Sequence, residues 1–237
     1  VMGNHEFNAV AYATMTSDGS YLRPHKDDAD AGLKLSISAF EGGHRGAEWL
    51  SWIEWFKTLP LFLELDGLRL VHAYWHVDSI AKLSGKTLKN AAFLVKAATK
   101  GNVEYDWIEN VLKGYEIPLP EGESYYDHTQ IERDHFRAKW FENEPVGKSA
   151  RELIFPKDSF DIADIRIADT TAELITGYAK AADPVFIGHY FKSAKSALEP
   201  ELDNLACLDF SVAKGGPLVA YRWDGERTLT AEKYIKA

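Results

Sequence analysis

Three histidines sit where short β-prone runs end or a tight polar motif begins. They are His5 within Gly3-Asn4-His5-Glu6, His72 after Leu68-Arg-Leu-Val71, and His189 after Val185-Phe-Ile-Gly188. Read as strand ends, these positions belong to one kind of place, because binding groups of layered α/β sheets collect where strands pass into loops. Neutral imidazole, joined by the amide oxygen of Asn4, suits borderline divalent ions such as Mn²⁺, Zn²⁺ or Fe²⁺. Two such ions roughly 3.5 to 4 Å apart clamp a phosphate, acidify a bridging water and stabilise an in-line displacement.

The elements that must hold these side chains are legible in part. The chain opens on what reads as the end of a strand, and residues 7–42 read as a helix fragment followed by a long surface loop. From Gly46 the spacing of Trp49, Leu50, Ile53, Trp55 and Phe56 predicts an amphipathic helix that stops at Leu59, ahead of Pro60. Two apolar runs around Asp66-Gly67 predict a hairpin whose second strand delivers His72. Residues 76–115 read as helical up to Gly114. Tyr125–Glu142 is a polar, aromatic segment carrying His128, Arg133, His135, Arg137 and Trp140. Residues 167–182 read as a further helix, and Pro184–His189 as a buried strand ending in a turn. Leu205–Ala213 and Pro217–Trp223 read as a closing antiparallel pair, with Asp224-Gly225 turning into a last strand.

Length and charge narrow the function. At 237 residues, 46% hydrophobic, one elaborated domain is the default. A net charge of −9 argues against non-specific binding to nucleic-acid duplexes or anionic membranes, which needs clustered Lys and Arg. Phosphate must then be handled locally, and a bound cation is one way to reverse the field in a single cleft. The single cysteine, Cys207, suits a reducing compartment, so a cytoplasmic location is expected. No apolar stretch is long enough to span a membrane, and no signal peptide is recognisable.

Four segments resemble the calcineurin-like metallophosphoesterases, in the branch that contains phosphoprotein phosphatases and bacterial diadenosine-tetraphosphate hydrolases. Gly3-Asn4-His5-Glu6 matches the family's third motif, Val71-His72-Ala73 its fourth, and Ile187-Gly188-His189-Tyr190 its fifth. Cys207-Leu-Asp-Phe-Ser-Val-Ala-Lys-Gly-Gly-Pro-Leu-Val-Ala-Tyr221 looks like its closing hairpin. The stretch from Leu112 to Gly122 and on through Arg137-Ala-Lys-Trp140 is similar to an insertion of bacterial members. The resemblance implies an α/β fold, a β-sandwich flanked by helices. Residues 1–237 would form the C-terminal part of that domain, with an inserted helical lobe at about 76–180. It implies Asn4, His72 and His189 as ligands of the second of two metal ions (Mn, Fe, Zn or Mg). His5 would be a general acid that protonates the leaving oxygen. Arg137, or in second place Arg133, would hold the phosphate oxygens. The implied reaction is hydrolysis of a phosphate monoester or phosphoanhydride by metal-activated hydroxide. The implied substrates are phosphorylated small molecules, nucleotides or phosphoproteins.

The chain departs from the family in one large respect. Neither Gly-Asp-x-His nor Gly-Asp-x-x-Asp-Arg occurs in it, and these supply the ligands of the first metal ion in the family. An upstream segment carrying them is expected. The alternative is a degenerate relative that keeps the scaffold for binding or assembly without catalysis. Elsewhere, His76 reads as a solvent or substrate contact, and His25, His44, His128 and His135 as loop or surface residues. Trp49, Trp52, Trp55 and Phe56 read as packing of one helix, Asp27–Asp30 as a solvated loop, and Cys207 as an inert buried thiol.

Overall fold

The computed structural model describes residues 1–25, 31–127, 131–157 and 160–237. The chain is mixed α/β and divides into two compact units, one formed by residues 1–63 and 75–113, the other by 64–74 and 114–237. Among the described residues, no helix is long and apolar enough to cross a membrane. Asp27–Asp30 and His128 lie outside the described residues.

The first unit is helical. Its α1 spans Asn4–Ala13, with Gly3 in extended geometry as N-cap and Glu6 in the first turn, where a carboxylate meets the positive end of the helix dipole. Asn4 and His5 therefore open a helix and do not end a strand, because Phe7, Ala9, Val10 and Ala11 bury a helical face immediately downstream. A second helix, α2 at Ala31–Ser38, lies inside the predicted surface loop. The helix expected from Gly46 is α3 at Ala47–Phe56. It buries Trp49 and Ile53 and leaves Trp52 and Trp55 exposed, so only part of its aromatic set is core. The helical reading of 76–115 resolves into three helices, here labelled with their order in the chain: α4 (Val77–Leu83), α5 (Ala91–Ala98) and α6 (Val103–Lys113). Asn90 caps α5, its side-chain oxygen accepting from the Phe93 N–H. Ile108, Val111 and Leu112 of α6 recur on one face and are fully buried.

The second unit holds a four-stranded sheet in the order β1 (Phe62–Leu65), β2 (Leu68–Val71), β7 (Val185–Ile187) and β8 (Leu205–Cys207). Strands β1 (Phe62–Leu65) and β2 (Leu68–Val71) are joined by the predicted Asp66-Gly67 turn, with Gly67 at φ 75°. From Gly114 the chain makes two short ribbons. The first pairs β3 (Glu116–Pro118) with β6 (His135–Arg137), and the second pairs β4 (Tyr125–Tyr126) with β5 (Glu132–Arg133). These ribbons pack Ile117, Phe136, Ala138, Leu153 and Ile154 into a core. Single helical turns α7 (Ala150–Leu153) and α8 (Asp169–Ala172) follow. The helix predicted over 167–182 is thus reduced to α8, with turns and irregular chain beyond it.

Strands β7 (Val185–Ile187) and β8 (Leu205–Cys207) complete the main sheet, every residue buried. Both run parallel to their neighbours, β7 on β2 and β8 on β7. The predicted closing pair is therefore rearranged. Strand β8 serves the central sheet, while β9 (Val219–Tyr221) pairs with the last strand, β10 (Tyr234–Lys236). The three buried residues of β8 explain the difference. A run apolar on both faces belongs in a covered parallel sheet and not at an exposed hairpin.

Candidate metal centre

Because β2, β7 and β8 are parallel neighbours, their C-terminal ends lie along one edge of the sheet. His72 follows β2, Gly188 and His189 follow β7, and Leu208 and Asp209 follow β8. The edge is stitched by backbone hydrogen bonds, the Gly188 N–H donating to the His72 carbonyl at 2.9 Å and the Leu208 N–H to the Ile187 carbonyl at 2.8 Å. This is the place where open parallel sheets bind ligands. The rings of His72 and His189 come together there, with centroids 5.2 Å apart and planes at 60°. Both residues are half-buried.

His189 has φ 67°, the left-handed region, and Phe191 has φ 31°. A side chain held there costs about 1–3 kcal/mol and persists only where the surroundings fix it. Asp209 does the fixing. One oxygen of its carboxylate accepts from the Phe191 N–H at 3.2 Å and the other from the Ser211 N–H at 3.0 Å. Its carbonyl accepts from the Lys192 N–H at 2.8 Å, and the Ser211 hydroxyl donates to the Lys192 carbonyl at 2.9 Å. Tyr190 is fully buried between these ends, its ring 5.0 Å from that of Phe155. Gly114, at φ 83°, lies so close that a Cβ there would overlap the Tyr190 hydroxyl. On the other strand, Trp140 is fully buried and its indole N–H donates to the carbonyl of Ala73 at 3.2 Å, pinning the residue next to His72.

The ring separation matches what shared ligation of one ion would give. Two imidazoles ligating one ion through nitrogens about 2.1 Å from it have ring centres roughly 5 Å apart. Asn4 and His5 belong to the first unit, at the start of α1, where Asn4 is half-buried and His5 exposed. His5 lines a cavity of about 400 Å³ in that unit, together with Arg23, Trp49 and Phe56. Among the described residues, no three of His, Cys, Asp and Glu cluster as a metal site, and the ligand set named from the sequence contains two such residues, His72 and His189, besides Asn4.

Arg133 and Arg137 line one cleft of about 410 Å³ in the second unit, with Glu116, Tyr125, Asp127, His135, Phe160 and Phe191. Alternation along the β3–β6 ribbon aims Arg137 there. Ile117 and Phe136 face the core, so Glu116 and Arg137, cross-strand partners, face outward. The two arginines differ in commitment. Arg133 is held by the nearly buried carboxylate of Asp127 at 2.8 Å, whereas Arg137 meets Glu116 only across 3.8 Å. The Arg137 guanidinium also lies over the Phe191 ring at 5.5 Å, two residues beyond His189, and Lys214 approaches the same ring at 4.9 Å.

Several bland expectations are refined. Cys207 is fully buried and its thiol is pushed up to about 12 by burial, as an inert thiol requires. His76 makes a polar cluster with Ser79 at 2.7 Å and Asn110 at 3.3 Å, and burial lowers its pKa. His25 is not a loose loop residue, being stacked between Tyr12 at 3.6 Å and Tyr21 at 4.0 Å. Sequence reasoning did not single out Asp209 or Phe191. The signal was present for Asp209, which ends a short apolar run as His72 and His189 do. Compared with known proteins, the chain matches no family model and no curated sequence, so the functional reading rests on this site.

Proposed function

We propose that the chain is a metal-dependent phosphoesterase that hydrolyses a phosphate monoester or phosphoanhydride, like a phosphoprotein phosphatase or a diadenosine-tetraphosphatase. The observation that carries the reading is the His72–His189 pair, two imidazoles from adjacent parallel strands at a separation that suits one ion, with His189 in a strained backbone state. His72 and His189 would hold the ion, with Asn4 a further ligand by resemblance. When bound, a divalent ion supplies Lewis acidity to phosphate oxygens and lowers the pKa of water. Arg137 would hold a phosphate oxygen through its planar donors, and the resemblance gives His5 the role of general acid. The four-stranded sheet would be one layer of the family's β-sandwich. The single buried cysteine fits a cytoplasmic setting.

One observation favours a second reading. The chain contains neither Gly-Asp-x-His nor Gly-Asp-x-x-Asp-Arg, so it can instead be a non-catalytic domain that binds phosphorylated partners. The test is a Mn²⁺-dependent assay on an aryl phosphate and on diadenosine tetraphosphate, using the full-length protein. Turnover lost in H72A and in H189A supports the enzyme. No turnover on any phosphoester, with phosphate binding retained, supports the binding domain.

A further inference from the structure

The cleft beside Arg137 has a wall that phosphate alone does not need. Tyr125, Phe160 and Phe191 line it as a continuous aromatic face, Phe160 lying 6.0 Å from each of the other two rings. Phe191 already carries the Arg137 and Lys214 cations, while Phe160 packs one side on the ribbon core. The charges are sorted as well. Asp127 is taken by Arg133 at 2.8 Å and by the Ile131 N–H at 3.1 Å, and Asp134 by His135 at 2.8 Å. That leaves Arg137, loosely met by the exposed Glu116, as the cation most easily recruited by a ligand. At about 410 Å³ the cleft falls within the range of small-molecule sites.

From this arrangement we propose that the cleft binds a small phosphate ester whose leaving group carries a planar ring. The phosphate lies at Arg137 beside the His189 loop, and the ring lies against Phe160 and Tyr125. This rests on the phosphoesterase reading and names its substrate class. The ligand's anion displaces Glu116 from Arg137, and the ring supplies contact area that every planar base or aryl group offers.

The experiment is calorimetric titration of the protein in EDTA, so that binding is read apart from turnover. Two pairs of probes are used: AMP against ribose 5-phosphate, and phenyl phosphate against methyl phosphate. The ring-bearing member of at least one pair binds about fivefold tighter or more, by the usual strength of ring stacking. The pair that shows the preference tells a nucleobase from a bare aryl ring. Phe160→Leu removes the preference and Phe160→Tyr keeps it. Glu116→Gln, at an exposed position, tightens both members severalfold by freeing Arg137. Equal affinities within both pairs, a preference that survives Phe160→Leu, or no gain from Glu116→Gln would overturn the proposal. Mn²⁺-dependent hydrolysis without a ring preference refutes the ring site alone. A ring preference without hydrolysis refutes the phosphoesterase reading and leaves the cleft a binding site.

Discussion

Asp209, just after β8, ties its own loop to the turn that presents His189, accepting from the Phe191 N–H with one carboxylate oxygen and from the Ser211 N–H of its own loop with the other. This clamp links the ends of β7 and β8 and keeps His189 at φ 67°, with its ring 5.2 Å from that of His72. Its removal should be felt first at the metal and only second in the fold. Asp209→Asn is expected to weaken Mn²⁺ binding about tenfold, in the range seen when groups supporting metal ligands are lost. The drop in stability should stay within about 1–3 kcal/mol. Titration calorimetry and urea unfolding read the two effects separately.

The strained backbone of His189 makes an opposite pair of effects. His189→Gly should be more stable than His189→Ala by about 1 kcal/mol, because glycine adopts positive φ without a Cβ penalty. Both variants should lose the metal equally. Equal stabilities measured in denaturant would show that the turn is not strained.

Gly114 is placed against Tyr190 with no room for a side chain. Gly114→Ala combines a positive φ with overlap on a fully buried ring, and is expected to cost about 2 kcal/mol or more. Thermal melting checks this, and Gly122→Ala, at φ 85° in open space, is the control that carries the backbone cost alone.

Much of this architecture could be read from residues. The Asp66-Gly67 hairpin, the α3 helix and the buried β7 run all carry local signals, namely turn chemistry, apolar spacing and β-branched content. The convergence of His72 with His189 was legible because each follows a strand. The role of Asp209 was not, since its partners are backbone N–H groups of a neighbouring loop that no side-chain pattern announces. Asn4 and His5 read as a strand end because Val1-Met2 is apolar, while the helix that begins at Asn4 is set by burial of Phe7 and Val10 further on. Strand β8 was assigned to the wrong partner for a related reason. The Gly215-Gly216 pair is a strong local turn signal, but the pairing of Leu205–Cys207 is decided by the parallel sheet that buries it.

The two arginines should separate in phosphate binding. Arg137→Ala is expected to weaken inorganic phosphate tenfold or more, by the usual contribution of a charged hydrogen bond of about 1.5–3 kcal/mol. Arg133→Ala should change it less than about threefold, because Asp127 already engages that guanidinium. Titration of both variants with phosphate decides the assignment.

Acid should unfold the protein partly through Glu142. Burial pushes its carboxyl up, but hydrogen bonds from Lys148, the Glu144 N–H and Lys139 outweigh that and hold it down at about 2, against an ordinary value of 4.5. A depressed folded-state pKa contributes stability above the unfolded value and loses it as pH falls through the folded value. The difference in melting temperature between the protein and Glu142→Gln should therefore shrink between about pH 4.5 and about 2. A gap independent of pH across that window would contradict the assignment.

The central claim is that His72 and His189 hold one divalent ion together. Mn²⁺ titration of the protein, of H72A, of H189A and of the double variant tests it. Sharing one ion predicts that either single change weakens binding at least tenfold and that the double change adds little more. Mn²⁺ binding left intact by both single changes would contradict it.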